Sequence, residues 1–262
     1  MVIQEILKEK TRQVARSREH LPLAKLENRL GGLPPTRDFH AALGHRPLAI
    51  IAEIKRKSPS RGWIWRGGDP REIASMYQRG GAAAISVLTE ERFFGGHPDF
   101  IPQAREIVTL PLLRKDFILD PYEIYETRLL GADSLLLIAG LLQGARLARM
   151  IDLAFRLGLQ PLVEVHDAQE LERALDAGAT IIGINNRDLR SLRTDIRRTL
   201  ELAPLVPPSV RLVSESGIRS RHEMELLMEA GVRAFLVGSA LMEAQDPVEK
   251  LLELRGLGEG AG

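Results

Sequence analysis

From about residue 48 onward, short apolar runs alternate with amphipathic stretches. There are eight such runs, at 48–54, 83–88, 110–113, 134–138, 161–165, 180–184, 211–213 and 234–237. Their lengths suit parallel strands covered on both faces, which read as continuous apolar segments. The stretches between them carry helix start and stop signals. In 167–177, Asp167 is placed to cap the N-terminus and Glu170 stands three residues later, the spacing at which a carboxylate reaches back to the cap backbone. Leu171, Ala174 and Leu175 then recur at helical spacing, and Gly178 ends the pattern. The same glycine punctuation precedes a strand at Gly131-Ala132 and at Ala230-Gly231.

Eight strand–helix units between residues 48 and 254 leave about 26 residues for each, close to the minimum for a strand, a helix and two short loops. The pattern predicts an α/β protein, a closed (β/α)8 TIM barrel over 48–262. The rival open, doubly wound sheet usually has fewer strands and a Gly-rich dinucleotide loop, and no G-x-G-x-x-G occurs. Residues 1–47 lie outside the repeat. Ile3, Ile6, Leu7 and Lys10 suggest a helix and Leu33-Pro34-Pro35 a break. This N-terminal helical extension is expected to pack across one end of the barrel, so that the whole is a single domain.

Composition narrows the function. The 262 residues carry 36 basic against 35 acidic side chains, a net charge of +1, which gives no general attraction to nucleic acid or to an acidic membrane. The absence of Cys excludes disulfides, thiolate catalysis and Cys-ligated metals. No signal-like segment opens the chain and no run of about 18 apolar residues occurs, so a cytoplasmic protein is expected. The basic residues divide into 29 Arg and 7 Lys, so each Lys merits inspection: an ammonium can lose its proton where a guanidinium cannot.

Barrel enzymes place their chemistry at the carboxyl ends of the strands. Here those ends carry Glu53 and Lys55, two apart and hence on one side of an extended chain, then Lys115, Glu164, Asn185 and Glu215-Ser216. Any one of them alone reads as a loop charge. Five strand ends that together supply two Lys, three carboxylates and an amide read as an acid–base site, because buried charges are tolerated chiefly where they pair and function needs them. After the last two runs, Ser216-Gly217 and Gly238-Ser239 offer small residues and free N–H groups, the position at which barrels bind phosphate. The six His, at 20, 40, 45, 97, 166 and 222, show no metal-ligand spacing. His166 lies just past a strand, where it can reach the site, although a loop-edge or capping role is the plainer reading. Trp63, Trp65 and Arg66 fit a lid or packing cap better than a base-stacking patch.

These segments resemble the indole-3-glycerol phosphate synthases. The matching stretches, in order, are Ala52-Glu-Ile-Lys-Arg-Lys-Ser-Pro-Ser60, Ala84-Ile-Ser-Val-Leu-Thr-Glu90 with Phe93-Phe94, Leu113-Arg-Lys-Asp-Phe117, Leu162-Val-Glu-Val-His166, Ile182-Gly-Ile-Asn-Asn-Arg-Asp-Leu189, Val213-Ser-Glu-Ser-Gly-Ile218 and Val237-Gly-Ser-Ala-Leu-Met242. The resemblance covers nearly the whole barrel. It implies a carboxy-lyase of tryptophan biosynthesis that converts 1-(2-carboxyphenylamino)-1-deoxyribulose 5-phosphate to indole-3-glycerol phosphate, CO2 and water. It implies no cofactor and no metal, one small phosphorylated substrate as the partner, no nucleic acid or membrane, and a monomer.

By the resemblance Lys115 is the general acid and Glu164 its acid–base partner, with Glu53 and Lys55 assisting and Asn185 and Glu215 orienting substrate hydroxyls and the charged pairs. Ser216, Gly217, Gly238 and Ser239 match phosphate-binding positions, with Ser58 and Arg187 near the mouth. Pro59, Phe94, Phe117, Leu136 and Leu189 match the pocket for the aromatic ring, with core packing the plainer reading for Leu136. Departures from the family pattern are Gly95-Gly96-His97 and Trp63-Ile64-Trp65-Arg66. A phosphoribosylanthranilate isomerase would need a Cys, which is absent; an inert barrel used as a binding or regulatory subunit remains as an alternative.

Overall fold

The computed structural model describes residues 2–44, 47–58, 62–65, 67–188 and 193–257. Eight parallel strands close into a barrel: β1 (Ala49–Ile54), β2 (Ala84–Leu88), β3 (Leu112–Lys115), β4 (Ser134–Ile138), β5 (Leu162–Val165), β6 (Ile181–Asn185), β7 (Arg211–Glu215) and β8 (Ala234–Val237). β1 pairs with both β2 and β8, so the sheet has no open edge. This is the predicted TIM barrel. Three strands run further than their apolar runs: Lys115, Asn185 and Glu215 are the last residues of β3, β6 and β7, and the ladder pairs Leu88 with Lys115 and Asn185 with Glu215. The polar residues end the strands from within the sheet, and their backbones are held by the ladder.

Strand parity sorts the side chains. Ile51, Leu113, Leu136, Leu162, Ile181, Val213 and Leu236 share one buried cluster inside the barrel. Their neighbours, such as Ile50, Leu112, Val163 and Ile182, pack outward against the helices. Two residues beyond an inward position the chain again points inward, so Glu53, Lys115, Glu164 and Glu215 follow Ile51, Leu113, Leu162 and Val213 onto the inner face.

The extension forms helices at Val2–His20, Leu23–Asn28 and Phe39–Gly44. Phe39 and Leu43 join the barrel-interior cluster beside Ala49, Ala83 and Ala234 at the starts of strands, and so plug the amino-terminal end. The first helix lies elsewhere, against the flank of the barrel near the helix Pro121–Leu130. There Lys10, only 4% exposed, reaches Asp116 at 3.0 Å and Glu123 at 2.9 Å. Among the described residues no helix is long and apolar enough to cross a membrane.

The helix expected over 167–177 is present as Ala168–Asp176, with the Asp167 side chain accepting from the Glu170 N–H. The Glu170 carboxylate does not return to the cap residue. It accepts from the N–H of His166, one residue earlier, at 2.9 Å, because the imidazole of His166 draws the same oxygen at 3.1 Å.

Candidate active site

A cavity of about 550 Å³ opens at the carboxyl ends of the strands. Its wall includes Glu53, Lys55, Phe94, Lys115, Phe117, Leu136, Glu164, Asn185, Arg187, Glu215, Ser216, Gly217, Gly238 and Ser239. The sequence-derived candidates therefore converge from all the strands of the barrel or the loops that follow them. Ser58 is not part of that lining; it sits in a short hairpin of Lys57–Ser58 with Gly62–Trp63. Pro59 and Leu189 lie outside the described residues, as does Arg66.

At the centre, the Lys115 ammonium donates to Glu164 at 2.9 Å and to Glu215 at 2.6 Å. Lys55 donates to Glu53 at 2.6 Å. Room for two of these carboxylates comes from glycine: a Cβ on Gly183 would collide with Glu215 Oε1, and one on Gly238 would collide with Glu53 Oε1. Gly238 thus makes room for the charged cluster as well as for the loop it opens.

Burial alone would push the Lys115 ammonium toward losing its proton, as a buried Lys is expected to. Glu164, Glu215 and Glu53 outweigh burial, and its pKa is raised. The carboxylates separate in the opposite sense to one another. Burial opposes the charge of Glu164, but Lys115 and His166 hold it well below the usual range. For Glu215 burial dominates, with Glu164 and Glu53 adding to it, and its pKa is pushed up to about 7 despite Lys115. Two neighbouring carboxyls with opposite tendencies are the usual material of acid–base chemistry.

The loop after β7 turns through Ser216 (φ 66°) and Gly217 (φ 81°), and Ser216 is the only non-Gly residue with positive φ among those described. Strained backbone of this kind persists where its surroundings enforce it. Asn186, which carried no signal in the sequence beyond its place in a matched segment, does the enforcing. Its amide donates to Ser214 Oγ and to the Ser216 carbonyl, and its oxygen accepts from Thr199.

Two more residues with no assigned role hold the apolar wall. Glu90 accepts from the N–H groups of Phe93 and Phe94, fixing the ring that faces Phe117 at 6.1 Å. Arg114 points outward from β3, 1% exposed, and binds Asp116, Glu126 and Thr127, which anchors the strand from behind Lys115. The two departures from the family pattern touch each other. Trp63 packs on Gly95, where a Cβ would stand 3.1 Å from its ring, and Gly96 lies against backbone carbonyls that leave no room for a side chain.

Solved structures share the architecture. A thiamine phosphate pyrophosphorylase from Pyrococcus furiosus aligns over 80% of this chain and 95% of its own with a TM-score of 0.60 at 17% identity. KGPDC from Streptococcus mutans aligns over 81% of this chain and 97% of its own with a TM-score of 0.61 at 12% identity. At such identities the likeness is one of fold alone. Sequence relatives are nearer. The indole-3-glycerol phosphate synthase of Roseiflexus sp. (strain RS-1) is 48% identical over 264 residues, 97% of this chain and 98% of the relative. That of Carboxydothermus hydrogenoformans is 52% identical over 205 residues, 78% of each, and that of Dehalococcoides mccartyi 46% over 258, 97% and 100%. The family model for indole-3-glycerol phosphate synthase matches residues 3–254, so the chain belongs to the indole-3-glycerol phosphate synthase family.

Proposed function

We propose that this chain closes the indole ring with Lys115 as general acid and Glu164 as its acid–base partner. The observation that carries the assignment is the Lys115 ammonium held between Glu164 and Glu215 at the mouth of an otherwise apolar barrel. In the family reaction the ring carbon bearing the carboxylate attacks the ribulose ketone, CO2 departs and restores the benzene ring, and loss of water completes the aromatic indole. As the new carbon–carbon bond forms, the ketone oxygen gains negative charge. An alkoxide is a far stronger base than a carboxylate, so it takes the proton from Lys115 even though Glu164 and Glu215 hold that proton firmly. A positioned acid of this kind contributes about 10² to 10⁴-fold.

Dehydration needs a proton for the departing hydroxyl and a base for the proton left on the ring system. Glu164, which stays ionised, suits the base, and Glu215, poised near neutrality, suits a donor that orients the hydroxyl. Lys55 suits the substrate carboxylate, with Glu53 holding Lys55. Overstabilising that carboxylate would oppose its loss, and the Glu53 partner tempers the cation.

The phosphate is assigned to the N–H groups and hydroxyls of Ser216, Gly217, Gly238 and Ser239, with Arg187 at the rim. Phe94, Phe117 and Leu136 form the wall for the aromatic ring. The buried Lys10 pairs support treating residues 1–47 and the barrel as one domain; a monomeric working unit rests on the family resemblance alone. The test is to incubate the purified chain with the carboxyphenylamino deoxyribulose phosphate while indole fluorescence is followed. Conversion without added metal or partner is expected; a folded chain that yields no product would overturn the assignment.

A further inference from the structure

The mechanism leaves one charged ring unused. His166 follows Glu164 by two residues at the end of β5, and its side chain is 13% exposed. Its Nε2 stands 3.3 Å from Glu164 Oε1, and its Nδ1 stands 3.1 Å from Glu170 Oε2. Nδ1 hydrogen-bonds to Glu170, whereas Nε2 is buried without a hydrogen-bond partner and meets Glu164 at ion-pair distance only; an ionised carboxylate can only accept, so carboxylates on both sides favour a proton on both nitrogens. Glu170 is itself firmly placed. It belongs to a capped helix, the same oxygen accepts from the His166 backbone, and Gly140 past β4 leaves space that a Cβ would fill against Glu170 Oε1. The charged groups facing the ring are Glu164 from its own strand and Glu170 from the following helix, with Lys115 of β3 beyond Glu164. Glu170, His166, Glu164, Lys115 and Glu215 thus form a row of alternating sign at 3.1, 3.3, 2.9 and 2.6 Å.

We propose that His166 is a positioning residue for ring closure: a doubly protonated imidazole, braced by Glu170, that fixes the Glu164 carboxylate and keeps it ionised while Lys115 gives up its proton. The inference rests on the roles given above to Lys115 and Glu164. Once Lys115 has donated, Glu164 faces a neutral amine inside a buried site. Without a second cation its charge would have only the neutral Asn185 amide beside it, and it would draw back a proton needed elsewhere. His166 supplies that second charge from the side away from the cavity centre. The electrostatics agree with the geometry. Burial works against the imidazolium, but attraction to Glu164 at ion-pair distance and the hydrogen bond with Glu170 push its pKa up to about 10.

The experiment is the pH dependence of kcat for the wild type, His166→Gln, Glu170→Gln, Glu164→Gln and the His166→Gln/Glu164→Gln double variant, with thermal melts alongside. Gln at 166 keeps an amide donor and loses the charge. Removing a cation raises the pKa of a neighbouring carboxylate, so His166→Gln should move the acid limb that depends on Glu164 upward by about one to three pH units, the effect of an opposite charge at contact distance. kcat should fall on the acid side of the profile while KM changes little. Glu170→Gln, which leaves the ring in place, should move the limb in the same direction by less, and it decides the matter alone if His166→Gln does not fold. In the Glu164→Gln background, His166→Gln should add nothing. An unmoved acid limb in both single variants, with Glu164→Gln defective, overturns the inference and leaves the Glu164 assignment standing. So does a lower kcat that merely follows a lower melting temperature. Wild-type kcat in Glu164→Gln overturns the assignment itself.

Discussion

Gly183 on β6 and Glu215 on β7 share one volume: the carboxylate that accepts from Lys115 occupies the place where a Cβ on Gly183 would stand. A methyl group there must push Glu215 away from Lys115 or tilt β6 outward. Overpacking of this kind costs about 1–3 kcal/mol. Gly183→Ala is therefore expected to fold with a lowered melting temperature and, because Glu215 is moved off Lys115, to lose kcat by up to about 10²-fold, the cost of misplacing a reacting group by about 1 Å. Steady-state kinetics and a thermal melt check this; unchanged kcat would show that the position of Glu215 does not matter to the chemistry.

Gly238 does not give a clean test of phosphate binding, because a side chain there would also displace Glu53. Ser216 does. A hydrogen bond to a charged group is worth about 1.5–3 kcal/mol. Ser216→Ala is expected to raise KM by about tenfold to a hundredfold with kcat nearly kept, the signature of lost uniform binding. A loss confined to kcat would move the phosphate elsewhere.

Lys10 carries a structural prediction. Replacing it by Met leaves Asp116 and Glu123 buried without the ammonium between them. Breaking a buried pair by removing one partner costs about 3–5 kcal/mol, and Arg114 beside Asp116 moderates this toward the lower end. Urea titration of Lys10→Met should show the fall in unfolding free energy. A change inside experimental error would mean that the first helix is not held through Lys10.

Stability should also depend on pH through His166. Its folded pKa is pushed up to about 10, above the unfolded value of about 6.5. The folded state therefore keeps a proton that the unfolded state releases, so the contribution is complete below about pH 6.5 and is lost as pH rises toward 10. Melting temperature should decline across that window, and the decline should be shallower in His166→Gln. Parallel curves for the two proteins would contradict it.

The barrel was legible in the sequence because its strands are short apolar runs, several of them preceded by a glycine that ends the helix before. The strand ends were less so. Lys115, Asn185 and Glu215 break the apolar pattern, yet the ladder runs through them, since backbone pairing does not depend on what the side chain does inside the barrel. The residues proposed for acid–base work stood out as charges at strand ends, whereas Asn186, Glu90 and Arg114 did not. Their work consists of hydrogen bonds to backbone and to residues from 2 to 30 positions away, and no local spacing encodes such partners. Glu170 had the spacing of a helix cap and was diverted by His166, a competition that only the folded geometry exposes.

If the Lys115 proton drives ring closure, as proposed, kcat of Lys115→Arg at saturating substrate across the pH range is the quantity that must respond. Arg keeps the positive charge between Glu164 and Glu215, but it holds its proton far more tightly and presents a larger planar head. The variant is expected to fold, to bind a phosphorylated analogue still and to lose kcat by at least about 10²-fold, the lower range for a removed general acid. Near-normal kcat throughout the pH range would contradict it, leaving Lys115 an electrostatic anchor and Lys55 the place to look for the acid.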